Sequence, residues 1–600
     1  MRIAAVHIPG GYLPHIFGDD HQEVTINFGG QHLYTFTNGD LVGVTPNAFY
    51  LDDVLDSAIS LFSCIVGGNG GGKTTLLRLI TSSYHCTYVI EKPDGDFELT
   101  ESLKAIHRVY YTPYLHQQTF DNIGENGKDL SKLALLKLDN HGDSALLDDF
   151  LDAHNSENSK RWIRFNHFYR SVGSAKIPLP VFLELELTLR YFDIDIQRPD
   201  RFHDTSYQLR PAITLLFGKI EAEKNEREIA AGRGRDLTQE EAHHLSFMIR
   251  FEYDLYQAAL GKLVAILERA GNHYLDEGSL PEDYEEQLQQ RDVRAGFEWF
   301  LKNAAVFQGD ENYSFSQHTV LLELIDYVRS LINEESLTDN WRRLVINEEQ
   351  ALHIIELYDA FNNSFINDWF SYDSKPLFGF KPDITVSSGE QQFLNLFSTL
   401  YYHAQNIKAD VDIDLHSFHS LAHIGDNILL LLDEGDNAFH PQWKKEYVKY
   451  LRNILPLIFE GYHLQVIITS HDPLTLSDIP KNNVVFVEKG EFGSLIGQSD
   501  NKRTFGANLA DLLKDSFFLQ DGQIGSYVAE VIDIIIDDIR HNRLDTQRRQ
   551  TIERIIHALD EPILKFKLAE MLSAATGEQD FERQLLDEEI RRLRERRNRI

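Results

Sequence analysis

A chain of 600 residues leaves room for several domains or one large composite domain, and 42% hydrophobic with 25% charged residues is the composition of a globular protein. A formal net charge of −35 excludes a generic phosphate-binding surface spread over the whole molecule, because duplex binding draws on clustered lysine and arginine; any nucleic-acid contact is expected to be local or to belong to a partner. Two cysteines, Cys64 and Cys86, exclude a disulfide framework and fit a reducing cytoplasm, no apolar run approaches the roughly 20 residues of a membrane-spanning helix, and MRIAAVHIPGGYLPHIF lacks the basic region and apolar core of a secretion signal.

Residues 1 to 62 read as mostly β, with EVTINF and QHLYTFT as strand-prone runs separated by Gly-Gly. The apolar run DVLDSAISLFSCIV then enters the glycine-packed turn of CIVGGNGGGKTTLLRLI, residues 64 to 80. There Gly67, Gly72, Lys73 and Thr74 match G-x-x-x-x-G-K-[ST]. Glycines let the backbone curl so that its N–H groups face phosphate oxygens. A helix starting near Lys73 aims its positive dipole end at the same anion. Lys73 then reaches the β and γ phosphates, and the Thr74 hydroxyl ligates Mg²⁺. A glycine turn produces this pattern by chance at times. The strand before it, and the buried stripe of Leu76, Leu79 and Ile80 after it, favour a nucleotide-binding loop.

VYYTPYL, residues 109 to 115, reads as another buried strand, ending at Pro113. From about 125 to 370 the pattern is mainly helical, as in EEAHHLSFMIRFEYDLYQAALGKLVAIL and HTVLLELIDYVRSLI, without the sustained heptads of a coiled coil. VFLELELTLRY, residues 181 to 191, is an exception. Leu183, Leu185, Leu187 and Leu189 alternate with Glu184, Glu186, Thr188 and Arg190, the period of a strand with one wet face.

SSGEQQ, residues 387 to 392, opens a helix whose apolar face is Phe393, Leu396, Phe397 and Leu400. Small residues at a helix N-terminus offer N–H groups and hydroxyls to an anion; a plain serine cap is the simpler reading. ADVDIDLHSFHSLAHIGD, residues 409 to 426, gathers Asp412, Asp414, His416, His419 and His423 at spacings that suit a metal, yet it falls where a variable loop is expected, and no metal is assigned to it. NILLLLDEGD, residues 427 to 436, is the continuous apolar run of a strand buried on both faces of a parallel sheet. It ends in Asp433 and Glu434. In a phosphate-loop enzyme one carboxylate at this place holds Mg²⁺ and the next polarises the attacking water; without such a loop it is only an acidic strand end. LQVIITSHD, residues 464 to 472, is a second buried strand. After 520 the chain is largely helical. Phe517 and Phe518 read as core. In FERQLLDEEIRRLRERRNRI, Leu586, Ile590, Leu593 and Ile600 form a narrow apolar seam beside arginines. That suits a docking helix for another protein, a nucleic-acid contact, or a terminal helix packed on its own domain.

GGNGGGKTT, VSSGEQQ, LLLLDEGD and IITSHD, taken in order, resemble the ABC-type ATPase heads of the SMC, RecF and OLD-like class. Gly67, Asn69, Gly70, Gly72 and Lys73 repeat its G-x-N-G-x-G-K form. The resemblance implies an α/β fold: a P-loop ATPase head of mixed β-sheet and helices, with a large helical insertion and a helical C-terminal region. The expected division is 1–124 and 372–520 for the two parts of the head, 125–371 for the insertion and 521–600 for a partner-docking region. It implies that the loop, with Lys73, Thr74 and Thr75, holds the phosphates of ATP. It further implies that Thr74 and Asp433 serve Mg²⁺, that Glu434 is the catalytic base, and that His471 is the switch histidine sensing the γ phosphate. Val386, Ser387, Ser388, Gly389 and Glu390 stand where such heads carry the L-S-G-G-Q signature. The signature caps nucleotide on the other subunit, so a head-to-tail dimer or a higher oligomer is implied. The family's glutamine after the second buried strand has no evident counterpart in YYTPYLHQQTF; Gln117 and Gln118 are nearby, and the role stays open.

LLDEGDNAFHPQWKKEYVKYL carries the histidine-proline and following aromatic of short-insert bacterial members of this class. TFGANLADLLKDSFFLQDGQIG, residues 504 to 525, is similar to a segment of the PtuA ATPases of Septu and related retron defence systems. That similarity implies a partner HNH nuclease of the PtuB kind and, in the retron-linked case, a reverse transcriptase with its RNA–DNA hybrid. The chain after His471 shows no Toprim constellation, so no intrinsic nuclease is expected. The expected function is ATP hydrolysis that regulates an effector nuclease in anti-phage defence. One alternative is a RecF-like repair ATPase that clamps DNA directly, which DNA-stimulated hydrolysis would reveal. Another is a scaffold that binds ATP and hardly turns it over.

Overall fold

The computed structural model describes residues 1–18, 21–51, 58–68, 70–81, 86–115, 126–139, 147–172, 179–190, 209–232, 238–274, 277–308, 311–314, 318–333, 336, 343–363, 376–408, 425–437, 439–490, 493–497, 502–509, 512, 526–559 and 561–597. Asn69, Gln117, Gln118, Phe517, Phe518 and the Asp/His run between 412 and 423 lie outside these residues.

Three uninterrupted apolar runs, ISLFSCIVG, NILLLLD and HLQVIITS, form the strands Ile59–Gly67, Asn427–Asp433 and His463–Ser470. Having no polar face, they are stable only inside a sheet covered on both sides. They occupy the middle of a seven-stranded sheet. Its order is Ser494–Gly497, Val484–Lys489, Ile59–Gly67, His463–Ser470, Asn427–Asp433, His107–Tyr111, Gly127–Asp129. All neighbours are parallel except the terminal hairpin of Val484–Lys489 with Ser494–Gly497. The protein is therefore α/β with a mixed sheet, and strands from both ends of the sequence interleave in it.

Each strand divides its side chains between two cores. Phe62, Val66, Leu430, Leu432, Val466 and Ile468 pack under the helices Ser388–Lys408 and Pro441–Ile458. Leu61, Ile65, Leu429, Leu431, Ile467 and Val487 pack against Leu76, Leu77 and Ile80 of the helix Lys73–Thr81. Ile3 and Val6 of the strand Arg2–Ile8 join that second core. Arg2–Ile8 runs in an antiparallel sheet between Val24–Asn27 and Thr87–Glu91. Its anchor is Glu91, fully buried, which accepts from Arg2 Nε at 3.0 Å, Tyr34 Oη at 2.8 Å and the backbone N–H groups of Gln31 and His32 at 2.9 Å.

Between the two groups of sheet strands lies a mainly helical region with its own core, which includes Leu187, Ile213, Phe251, Phe297, Ile325 and Ile354. The strand Glu184–Leu189 sits there between Arg343–Asn347 and Phe378–Pro382 and buries Leu185, Leu187 and Leu189. Leu183, at the start of the alternating run, precedes the strand and is 58% exposed. The helix Leu147–Val172 joins this region to the helix Ser388–Lys408 that covers the seven-stranded sheet. Phe165 lies 6.0 Å from Phe397 and Phe168 4.5 Å from Tyr401 (ring centroids), and Trp162 Nε1 donates to Asn395 Oδ1 at 2.9 Å.

Met1–Phe518 is one compact unit and Leu519–Ile600 another. In the second, the helices Ser526–Arg540, Thr546–Ala558, Pro562–Thr576 and Asp580–Arg597 surround Ile535, Ile552, Ile556 and Ala569. Leu586 and Ile590 are exposed on the last helix; the Leu593 side chain and Ile600 lie outside the described residues. Among the described residues no helix is long and apolar enough to cross a membrane.

Candidate functional site

The register places the ends of the three central strands side by side, with Asp433 opposite Thr469 and Val66 opposite Ser470. In open α/β sheets the carboxyl ends of the strands are where ligands bind. The glycine loop leaves the first of these strands and returns as the helix Lys73–Thr81. Gly67 is required by a close approach: a Cβ there would run into the carbonyl oxygen of Val487. Gly72 is required by its φ of 93°, a conformation that L side chains rarely adopt. Thr74 and Thr75 follow, half-buried, in the first helical turn. Lys73 is buried, and its Nζ donates to the carbonyls of Gly67 at 3.0 Å and Gly68 at 3.3 Å. The ammonium thus lies over the loop.

Asp433 is 1% exposed and fixed by two hydroxyls. Thr469 Oγ1 donates to Oδ1 at 2.5 Å and Tyr110 Oη to Oδ2 at 2.9 Å. Thr469 Oγ1 also accepts the Glu434 N–H at 2.9 Å. Glu434 has a φ of 51°, a left-handed conformation that costs a non-glycine residue roughly 1–2 kcal/mol and that its surroundings must hold. That backbone turns its carboxylate back over the strand ends. Oε1 lies 3.9 Å from Lys73 Nζ and 3.7 Å from His471 Nδ1. The facing Glu434 carboxylate raises the His471 imidazole above its ordinary value against the opposing effect of burial; Asp436 adds to the rise and Lys73 reduces it.

Three groups named from sequence, Lys73, Glu434 and His471, therefore meet beside Asp433. The residues at the signature position stand apart from them. The Ser387 N–H donates to Glu390 Oε2 at 2.8 Å and the Glu390 N–H to Ser387 Oγ at 3.4 Å, a reciprocal cap on the helix Ser388–Lys408. Among the described residues no hydrogen bond joins Ser387, Ser388, Gly389 or Glu390 to the glycine loop, and Ser387 and Ser388 are exposed. Gly70, with a φ of 76°, is described; Asn69 is not.

The donor set suits a hard divalent cation and a phosphate chain. Thr74 and Asp433 offer hydroxyl and carboxylate oxygens, the chemistry that Mg²⁺ prefers. Loop N–H groups, a helix N-terminus and a buried ammonium offer the complement to phosphate. Several members of the cluster are not named by the motifs. Thr469 and Tyr110 hold Asp433. Asp436, 1% exposed, accepts from Ser470 and Thr475; burial pushes its carboxyl above the ordinary value, and those two hydroxyls pull it back. Asn437 Nδ2 donates to Tyr114 Oη. The signal for Asp436 was present as the last residue of DEGD, and for Thr469 and Ser470 as the hydroxyls before the histidine of ITSHD. No protein-family model matches the chain, and no curated protein matches it.

Proposed function

We propose that the chain is an ABC-type P-loop ATPase, converting ATP and water to ADP and phosphate, and that it works in the cytoplasm as a head-to-tail dimer or higher oligomer regulating a partner nuclease in anti-phage defence. The observation that carries the enzymatic part is the meeting of Lys73, Glu434 and His471, within 4 Å of one another along the chain Lys73–Glu434–His471, beside the buried Asp433. Mg²⁺, held by Thr74 and Asp433, would neutralise charge on the phosphate oxygens. Lys73 draws the β and γ phosphates to the loop. Glu434 takes a proton from water as its oxygen bonds to the γ phosphorus and the bond from that phosphorus to the bridging oxygen breaks. His471, 3.7 Å from Glu434 Oε1, would hydrogen-bond the transferred phosphoryl group.

The dimer rests on the residues at the signature position, of which Ser387 and Ser388 are exposed and Gly389 and Glu390 half-buried; they would complete the site of a second copy. The nuclease partner, an HNH enzyme of the PtuB kind, with or without a reverse transcriptase and RNA–DNA hybrid, rests on the sequence similarity of residues 504 to 525.

Turnover and nucleotide binding of two variants test the reading. Lys73→Ala abolishes binding. Glu434→Gln binds ATP, loses roughly 10²–10⁴-fold in turnover, and accumulates as a dimer on size-exclusion chromatography with ATP and Mg²⁺. Normal hydrolysis by both variants would sink the site assignment. Affinity purification of tagged Glu434→Gln from its host tests the partner: a stoichiometric nuclease supports the defence complex, whereas duplex DNA with replication proteins and no nuclease points to a repair clamp.

A further inference from the structure

We infer that Asp436 is a positioning residue for His471, so that one turn of the chain sets both the base and the phosphate-sensing histidine; this rests on the ATPase reading of the site. Asp436 follows Glu434 by two residues in the turn after Asn427–Asp433. Its Oδ2 accepts from Ser470 Oγ at 2.6 Å and from Thr475 Oγ1 at 2.7 Å. Those two hydroxyls bracket His471 in the sequence. Ser470 Oγ accepts the Asp472 N–H at 3.0 Å, which closes the backbone around the histidine. Asp472 is held in turn by Lys444 Nζ at 2.8 Å and caps the next helical turn through the Leu474 N–H at 2.9 Å. His471 is half-buried, between the buried Ser470 and Thr475. Ser470 before it and Thr475 four residues after it are pinned to Asp436, and its own ring meets Glu434.

Burying a carboxylate is costly unless donors repay it, and an apolar residue would fill the same space at less cost if packing were the whole purpose. What Asp436 supplies is an oxygen that takes two hydroxyl hydrogens at once and so ties the strand end His463–Ser470 and the following turn to the acidic turn. A movement of Glu434 on nucleotide turnover is thereby passed to His471 through a rigid bridge rather than through side-chain contact alone.

A double-mutant cycle on the full chain tests this, with Mg-ATP turnover and nucleotide affinity measured in parallel. Asp436→Ala and Thr475→Val each lower kcat, the first by about tenfold or more and the second by about threefold, while the ATP Kd stays within about threefold. Thr475→Ser and Asp436→Asn, which keep the hydroxyl and the accepting oxygen, remain within about twofold of the parent. Adding His471→Ala to Asp436→Ala or Thr475→Val produces little loss beyond His471→Ala alone, because the bridge acts through that ring. Losses that multiply with His471→Ala, or parent-like turnover in Thr475→Val, overturn the inference. Should Asp436→Ala fail to fold, the Thr475 pair carries the test. Parent-like turnover in both Lys73→Ala and His471→Ala removes the ATPase site itself, and the inference falls with it; loss in those two with additivity at Asp436 removes only the inference.

Discussion

Thr469 gives the acidic turn its geometry with one oxygen: it donates to Asp433 and accepts from the backbone of the strained Glu434. Valine has nearly the same shape and neither capability. Thr469→Val leaves a buried carboxylate oxygen short of its donor, at about 1–3 kcal/mol, and releases the N–H that holds Glu434 in its left-handed turn. Urea denaturation should register that loss. ATP turnover should fall further than stability alone explains, whereas Thr469→Ser should restore most of both. Equal turnover in the valine and serine variants would show that the hydroxyl plays no part. Lys73, Asp433, Glu434 and His471 were legible in sequence because each belongs to a short motif whose chemistry depends on adjacent residues. Thr469 and Asp436 stand inside the same motifs, but what they bind was not legible there. Their partners lie more than thirty residues away, and only the pairing of Asn427–Asp433 with His463–Ser470 brings them together.

The elements with continuous apolar runs were the most legible, since a strand with no polar face has one place to go. The alternating run was legible in kind but not in extent: Leu183 continues the pattern yet falls before the first ladder pair, Glu184 with Asn347. A buried contact between elements escaped sequence reading altogether. His107, on the strand that carries Tyr110, and His403, on the helix that begins at Ser388, lie with their Nε2 atoms 3.0 Å apart. One ring donates and the other accepts, so at least one of them is neutral. Burial holds both below the ordinary histidine value, His107 at about 4. The unfolded chain protonates these rings below about pH 6.5, whereas the folded chain protonates His107 only near about 4 and holds His403 well below its ordinary value. The folded state's preference for neutral rings is therefore complete above about pH 6.5 and is lost as the pH falls below it, for His107 down to about 4. Urea midpoints of the parent should drop between about pH 7 and pH 5 more steeply than those of His107→Leu/His403→Leu. Parallel pH profiles would remove the pair from the acid response.

At the scale of the molecule the helical unit Leu519–Ile600 has a core of its own. A fragment covering residues 526 to 597 should show a helical circular dichroism spectrum and a cooperative melt, near the lower size at which domains fold alone. Leu586→Glu and Ile590→Glu, on its exposed seam, should leave that melt within about 0.5 kcal/mol. A broad, non-cooperative melt would make this unit dependent on the rest of the chain. The flanking of a helical middle by strand-rich ends was visible in the sequence. The order of strands across the sheet was not, because continuous apolar runs carry no label for their neighbours.

That order has a consequence for how the protein is made. Ile59–Gly67 lies between His463–Ser470 and Val484–Lys489, and Ser60 meets Leu464 across a separation of 404 residues. At about 5–20 residues per second, a ribosome takes roughly 20–80 s to supply those neighbours. For that interval the most apolar strand of the amino-terminal part has neither of its sheet partners, while the whole middle region can emerge and fold on the core it already contains. A chaperone that guards nascent chains has a defined client here, residues 59 to 67, and a defined moment of release, when Val484–Lys489 leaves the exit tunnel.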